Sequence, residues 1–184
     1  TAGTSVRVVL DLDGGNRQDI ATGIGFFDHM LETFAFHGNL NIGIQAEGDL
    51  VVDDHHTIEE VGVVLGRAIR EALGSGTIER FASEHLASDD ALVLCAIDVC
   101  GNGYLQFEVN FKREKIGDMA TEAIRPFFHA ICFHSGITLH IREISSFNDH
   151  HLCEAVFKAF GRVLHKATRP NEKRNTNSIK GAVD

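Results

Sequence analysis

The segments Asp54-His55-His56-Thr57-Ile58-Glu59 and Asp149-His150-His151-Leu152-Cys153-Glu154 are two copies of one motif, one in each half of the 184-residue chain. Apolar residues follow each copy at helical spacing, over residues 61–73 and 155–163, so both motifs are predicted to begin amphipathic helices. The segments that precede the motifs also correspond. Each half is predicted to contain a strand with a Gly/Asn turn, a helix that opens on a Phe-Phe pair, and a second strand. The predicted strands are residues 6–12, 41–45, 92–99 and 138–144.

This repeated order predicts an α+β fold with two internally duplicated half-domains. Each half-domain should be a small, mostly antiparallel sheet that two helices cover on one face. Residues 1–91 form the first predicted repeat, and residues 92–184 form the second repeat together with a C-terminal tail. A pseudo-twofold axis is expected to relate the two repeats within one compact unit.

Composition excludes several classes of protein. The formal net charge is −9 and the only basic-rich stretch is residues 165–180, which argues against a nucleic-acid partner. No apolar run approaches the roughly 20 residues of a membrane span, so no membrane insertion is expected. The cysteines have no C-x-x-C pairing, which favours free thiols in a reducing, cytoplasmic compartment. Because the sequence begins at Thr1, a removed targeting segment stays an open alternative.

Each motif has the spacing of a metal site. On a helix, residues i and i+4 share a face, so the first histidine and the glutamate of each copy can bind one ion together. The second histidine is rotated by about 100° and is available to a second ion. Nitrogen-rich sets with one carboxylate suit Mn, Fe or Zn better than Mg or Ca. The predicted ligands are His29, from the preceding helix, with His55, His56, Glu59, His150, His151 and Glu154. His37 is a ligand, a substrate contact or a core histidine, and the sequence leaves these three open.

Several stretches resemble one enzyme family. They are Thr22-Gly23-Ile24-Gly25-Phe26-Phe27-Asp28-His29-Met30-Leu31, Gly48-Asp49-Leu50, both His-His motifs with their flanks, and the tail Ser178-Ile179-Lys180-Gly181. Together they are similar to imidazoleglycerol-phosphate dehydratase over essentially the whole chain. The resemblance implies dehydration of imidazole glycerol phosphate to imidazole acetol phosphate, the sixth step of histidine biosynthesis. It also implies a ribosomal protein S5 domain 2-like fold, two Mn²⁺ ions per active site, and a homo-oligomer of 24 subunits with interfacial sites.

The implied chemistry fits the predicted residues. Metals on the ring nitrogens would stabilise an imidazolate, and that ring could expel the neighbouring hydroxyl with the help of proton transfer. The candidates for proton transfer are Glu59 and Glu154, followed by His37 and Asp89. By resemblance, the substrate phosphate is expected to contact Arg80, Lys158, Ser178 and Lys180.

The chain departs from the family pattern at several positions. Asn102 stands where the family has a phosphate-binding arginine, a loss worth about 1.5–3 kcal/mol of binding. Pro126 stands where the second-half helix normally has a histidine ligand, which puts one metal site in doubt unless His129 replaces it. Asp89-Asp90 keeps both acids of the usual Asp-Glu pair but shortens one, and Gly3 replaces an N-terminal glutamate.

Two other functions stay open at the level of sequence. A binuclear metallohydrolase is one alternative, because His/Glu pairs also activate water. A metal-binding family member with weak or no turnover is the other, and Pro126 and Asn102 are its best arguments. The phosphate-facing tail, together with Arg80 and Lys158, favours the lyase over the hydrolase.

Overall fold

The computed structural model describes residues 3–180, and its elements repeat one order in each half of the chain. The first half contains β1 (Ser5–Asp11), β2 (Gln18–Ala21), α1 (Gly25–His37), β3 (Asn41–Glu47) and α2 (His55–Leu73). The second half contains β4 (Phe81–Ser88), β5 (Ala91–Val99), β6 (Tyr104–Glu108), β7 (Lys115–Ile116), β8 (Met119–Ala120), α3 (Ile124–Ser135), β9 (Ile137–Ser145) and α4 (Asp149–Ala167). A single 3₁₀ turn at Thr121–Ala123 leads into α3.

Apart from the two-stranded sheet of β7 and β8, the structure has two larger sheets, and they share one pairing scheme, which confirms the predicted duplication. In the first sheet the order is β1-β3-β2, with β1 antiparallel and β2 parallel to β3. In the second sheet the order is β4-β5-β9-β6, with β5 antiparallel and β6 parallel to β9. β4 precedes the predicted boundary at residue 91 but pairs antiparallel with β5. The division into two repeats at that boundary stays a prediction.

The four α-helices lie between the sheets and supply most of the core. α1 and α2 pack on the first sheet and α3 and α4 on the second, while α1 contacts α4 and α2 contacts α3. In α2 the buried residues Ile58, Val61, Leu65 and Ile69 recur every three or four positions, which places one apolar stripe against its neighbours. The aromatic centre of the core consists of Phe27, Phe34, Phe127, Phe128, Phe157 and Phe160, all essentially inaccessible to solvent. No helix of the described residues is long and apolar enough to span a membrane.

The sequence prediction located all four α-helices and four of the five strands that have seven or more residues. The predicted strand at residues 6–12 corresponds to β1, and the predicted strands at 41–45, 92–99 and 138–144 correspond to β3, β5 and β9. The second Phe-Phe helix begins three residues before Phe127, at Ile124. β4, β7, β8 and the two short parallel strands, β2 and β6, have no separate counterpart in the sequence prediction.

Candidate metal centre

One group of side chains has the arrangement of a metal centre. His29 comes from α1, and His150 and Glu154 come from α4, where they are one turn apart. Glu154 Oε1 lies 3.2 Å from His29 Nε2 and 3.4 Å from His150 Nε2. One ligand atom from each of the three residues lies within 4.8 Å of the others, so a single ion could contact all three. Two imidazoles with one carboxylate suit a transition metal.

Local structure fixes both helices that form this centre. At the beginning of α1, the Asp118 carboxylate accepts hydrogen bonds from the backbone N–H groups of Gly25 (2.7 Å) and Phe26 (3.0 Å). At the beginning of α4, the Asn148 side chain accepts from the His151 N–H at 3.2 Å, as an N-cap residue does. The His150 ring also meets Phe26 edge-on, with 5.3 Å between ring centroids. These contacts hold His29 and His150 on facing helices.

Glu154 carries a negative charge that the centre stabilises. Burial alone would raise the pKa of Glu154, but the hydrogen bond with His29 and the charges of Lys158 and His150 outweigh it and lower that pKa. Lys158 lies one turn along α4, with its Nζ 3.5 Å from Glu154 Oε2. The carboxylate is therefore available as an anionic ligand at neutral pH.

The first motif forms a pair rather than a group of three. His55 Nε2 lies 3.3 Å from Glu59 Oε2, and both side chains are exposed. Between residues 3 and 180, the only three-membered His, Cys, Asp or Glu group of this kind is His29, His150 and Glu154. The His129 ring stacks against Phe133 instead, with 6.4 Å between centroids. The structure therefore does not bring His129 to this pair.

His151 has an aspartate partner that the sequence prediction missed. Asp90 Oδ1 lies 2.6 Å from His151 Nδ1, and Asp90 Oδ2 accepts from the backbone N–H groups of Phe147 (2.6 Å) and Asn148 (2.8 Å). These bonds lower the pKa of Asp90, and the hydrogen bond with Asp90 raises the pKa of His151. The only sequence signal for this role is the second acid of the Asp89-Asp90 turn. Because Nδ1 is bonded to Asp90, Nε2 is the ring nitrogen of His151 that is available to bind an ion.

Asp89, His56 and His37 are three further residues that the sequence predicts for the site. Asp89, in the turn after β4 with a φ of 51°, places Oδ2 3.6 Å from His151 Nε2. His56 is exposed and lines a cavity of about 220 Å³ with the segment before α2. His37 lies at the end of α1, and its pKa is lowered by burial and by the charges of Lys158 and Arg162. Neither His56 nor His37 belongs to the three-membered group.

The residues predicted to bind phosphate divide between two ends of β4. Lys158 Nζ donates to Ser88 Oγ (3.3 Å) at the end of β4, beside the metal centre. Arg80 immediately precedes β4, and Ser88 is the last residue of that strand. At about 3.3 Å per residue, the strand separates the two residues by roughly 26 Å. Arg80 Nη1 donates to the Asn177 carbonyl at 2.9 Å, which draws the tail with Ser178 and Lys180 to the Arg80 end.

Arg80 is itself strongly engaged. Its Nε and Nη2 donate to the two carboxylate oxygens of Asp98, at 2.7 and 3.3 Å, and its backbone has a left-handed φ of 74°. Nearby, the Ser178 hydroxyl accepts from the Lys180 N–H at 3.1 Å. A cavity of about 340 Å³ lies between residues 73–78, 99–101 and 175–177, next to this cluster. The cavity and the cluster make one polar site that is separate from the metal centre within a single chain.

A duplicated α+β chain with a buried aromatic middle layer carries a partly exposed His/His/Glu group that could hold a metal ion. The family model described as imidazoleglycerol-phosphate dehydratase matches residues 22–164, and the chain belongs to this family.

Named relatives agree over nearly the full chain. The imidazoleglycerol-phosphate dehydratase of Acetivibrio thermocellus is 47% identical over 174 residues, which cover 94% of this chain and 89% of the relative. The Caldicellulosiruptor saccharolyticus protein of the same name is 49% identical over 168 residues, with 91% and 87% covered.

Two crystal structures have the same fold. The Staphylococcus aureus imidazoleglycerol-phosphate dehydratase matches with a TM-score of 0.84 and 33% identity, covering 91% of this chain and 95% of that one. The Pyrococcus furiosus family member, crystallised in complex with (S)-C348, matches with a TM-score of 0.85 and 34% identity, covering 99% and 97%. The resemblance first seen in the sequence motifs is therefore confirmed.

Proposed function

We propose that this protein is a hydro-lyase that dehydrates imidazole glycerol phosphate to imidazole acetol phosphate in histidine biosynthesis. The observation that carries the proposal is the group His29, His150 and Glu154 in a chain of the dehydratase family. The three free buried thiols, Cys95, Cys132 and Cys153, support a cytoplasmic setting.

The centre fits a divalent ion, for which Mn²⁺ is our proposal. Its two imidazole nitrogens and one carboxylate form the mixed donor set that Mn, Fe or Zn accepts. A bound ion would supply Lewis-acid stabilisation of negative charge on the substrate's imidazole ring. His29, His150 and Glu154 are proposed to hold one ion, and His55 and Glu59 a second. His56 and His151, each rotated away from the first histidine of its own motif, are proposed as further ligands to the ion of the other motif.

Glu59, Asp89, Glu154 and His37 are the proposed candidates for proton transfer. Glu59 is exposed and can exchange protons with solvent or substrate. Asp89 is also exposed and stands beside His151, which supports a role for this acid in contact with substrate. Glu154 has a lowered pKa and neighbours three nitrogen groups, which favours a ligand role over a proton-transfer role for this residue. His37 is the least favoured of the four candidates because burial, together with the charges of Lys158 and Arg162, disfavours its protonated form.

The active site is proposed to form between chains of a 24-subunit assembly. A small phosphorylated imidazole cannot span the roughly 26 Å between the metal centre and the Arg80 cluster of one chain. A neighbouring chain that presents its Arg80, Ser178 and Lys180 to the metal centre would bring both ends together. Exposed apolar side chains precede both motifs, with Val51 98%, Val52 78% and Phe147 83% accessible, which supports burial of these segments against other chains.

The proposal is tested with purified full-length protein, stripped of metal and assayed with imidazole glycerol phosphate before and after addition of Mn²⁺. We expect product only after Mn²⁺ is restored, and we expect sedimentation velocity to show a large homo-oligomer in the active fraction. His150→Ala should reduce kcat by at least about 100-fold because one ligand is lost. His85→Ala, which removes an exposed histidine of β4, is the matched control and should leave the rate unchanged.

Metal binding without product, in the presence of substrate at millimolar concentration, would favour the family member with weak or no turnover. Release of inorganic phosphate instead of water would favour the metallohydrolase. A fully active monomer would overturn the interfacial site.

A further inference from the structure

The helices α1 and α3 correspond residue by residue, and the described side chains fix the register. Phe36 and His37 near the end of α1 have ring centroids 5.2 Å apart at 79°. Phe133 and His134 near the end of α3 have ring centroids 5.1 Å apart, also at 79°. Both phenylalanines are exposed. Aligning Phe36 with Phe133 and His37 with His134 therefore sets the register between α1 and α3.

The helices α2 and α4 correspond in the same way. The pair His55–Glu59 is separated by 3.3 Å and the pair His150–Glu154 by 3.4 Å. The adjacent histidine rings lie 5.9 Å apart at 79° in α2 and 6.0 Å apart at 75° in α4. The two motifs are therefore close geometric copies of each other.

The close contact of α4 with α1 also corresponds to that of α2 with α3. A Cβ added to Gly161 of α4 would meet the carbonyl oxygen of Phe34 in α1. A Cβ added to Gly66 of α2 would meet the carbonyl oxygen of Ile131 in α3. Gly161 and Gly66 both lie seven residues after the glutamate of their motif. The α1–α4 and α3–α2 crossings thus use the same positions.

This register identifies the counterpart of His29. His29 lies eight residues before His37, and Pro126 lies eight residues before His134. Pro126 also precedes Ile131 by the same five positions by which His29 precedes Phe34. The position that completes the group with His150 and Glu154 in one half is therefore occupied by a proline in the other. A proline side chain has no atom that can bind a metal.

We propose that the two metal centres of this protein are unequal: the ion at His29, His150 and Glu154 is bound tightly, whereas an ion at His55 and Glu59 is bound weakly. The inference rests on the proposed metal-dependent function, but it concerns binding rather than turnover. Loss of contacts that only orient a ligand weakens metal sites by about 10–100-fold, and loss of a ligand should weaken binding by at least about 100-fold. The chain should then hold one tight ion per subunit.

The experiment is a titration of metal-free full-length protein with Mn²⁺, in which electron paramagnetic resonance measures the unbound ion. Wild type should take up one tight ion per chain, with a second bound only at about 100-fold higher Mn²⁺. Pro126→His should bind two tight ions. Pro126→Ala is the matched control: it also removes the proline, which lies in the first turn of α3 where its missing N–H matters little, and it should still bind one tight ion.

Two equally tight ions in wild type, no tight ion at all, or equal stoichiometry for Pro126→His and Pro126→Ala would overturn the inference. The readout separates this inference from the proposed activity. A single tight ion that becomes two in Pro126→His supports the inference even if imidazole glycerol phosphate is not dehydrated. Active protein with two equal ions contradicts the inference and leaves the dehydratase function standing.

Discussion

The carboxylate of Glu154 meets nitrogen groups from three side chains. His29 and His150 approach one of its oxygens and Lys158 the other, at 3.2, 3.4 and 3.5 Å. The spacing within the motif could predict the His150–Glu154 pair. It could not predict that His29 joins the pair, because His29 comes from α1, a helix remote in sequence. The sequence predicts His29 as a ligand from its place in the helix that precedes the first motif, but its contact with Glu154 depends on the packing of α1 on α4.

Asn102 offers a gain-of-function test at the residue scale. It is exposed in the turn between β5 and β6, and its carbonyl accepts from the Thr138 hydroxyl at 2.8 Å. Because the resemblance implies a phosphate-binding arginine at this position, Asn102→Arg is expected to add a charge-assisted contact to the substrate phosphate, worth about 1.5–3 kcal/mol. We expect KM for imidazole glycerol phosphate to fall by roughly ten- to 100-fold with little change in kcat, as measured by steady-state kinetics.

A control must separate a direct contact from general attraction of an anion. Asn110→Arg adds the same charge at another exposed position after β6 and should leave KM within about twofold. An equal fall in KM for both variants would show that Asn102 is not near the phosphate.

At the scale of elements, the aspartate of each motif stabilises the segment between β6 and α3. Asp149 accepts from the backbone N–H groups of Lys112 and Arg113, at 2.9 and 2.8 Å. Asp54 accepts from the Ala120 N–H at 2.7 Å, so the same segment contacts both motifs. Burial is the main reason that the pKa of Asp54 is raised. Neither aspartate belongs to the three-membered metal group. Their hydrogen bonds to the backbone indicate a structural role for both residues.

Replacement of Asp149 tests this role. The residue is only 4% exposed, and Asp149→Ala would leave two backbone N–H groups without their acceptor. We expect the free energy of unfolding to fall by about 2–4 kcal/mol, measured by urea unfolding at fixed protein concentration. Asp149→Asn keeps one acceptor oxygen and should lose less. Glu71→Ala, at an exposed position of α2, should change stability by no more than about 0.5 kcal/mol. Equal stabilities of Asp149→Ala and Glu71→Ala would refute the role.

The elements differ in how far the sequence could predict them. α2 and α4 are each 19 residues long, and their apolar stripes repeat locally, so pattern alone identifies them. β2 and β6 have four and five residues, and each pairs in parallel with a strand that follows an intervening helix. Their stability depends on distant partners, which a local pattern does not reveal. Asp90 was missed for the same reason, because its partner His151 is 61 positions away.

At the scale of the whole molecule, duplication gives two helix pairs with one geometry and different chemistry. The α1–α4 pair brings together His29, His150 and Glu154, whereas the α3–α2 pair sets Pro126 in the position that corresponds to His29. The residues predicted to bind phosphate are also divided, with Lys158 beside the metal centre and Arg80 at the far end of β4. Under the proposed function, a complete site therefore combines groups from more than one copy of the chain.

Binding of a divalent ion at His29, His150 and Glu154 is tested most directly with crystals of the Mn²⁺-loaded protein. Anomalous diffraction at the manganese edge locates the ion without reference to activity. We expect the strongest peak at bonding distance from the two imidazole nitrogens and the Glu154 carboxylate, with a weaker peak or none at His55 and Glu59. No peak between those three side chains, or a stronger one at His55 and Glu59, would contradict it.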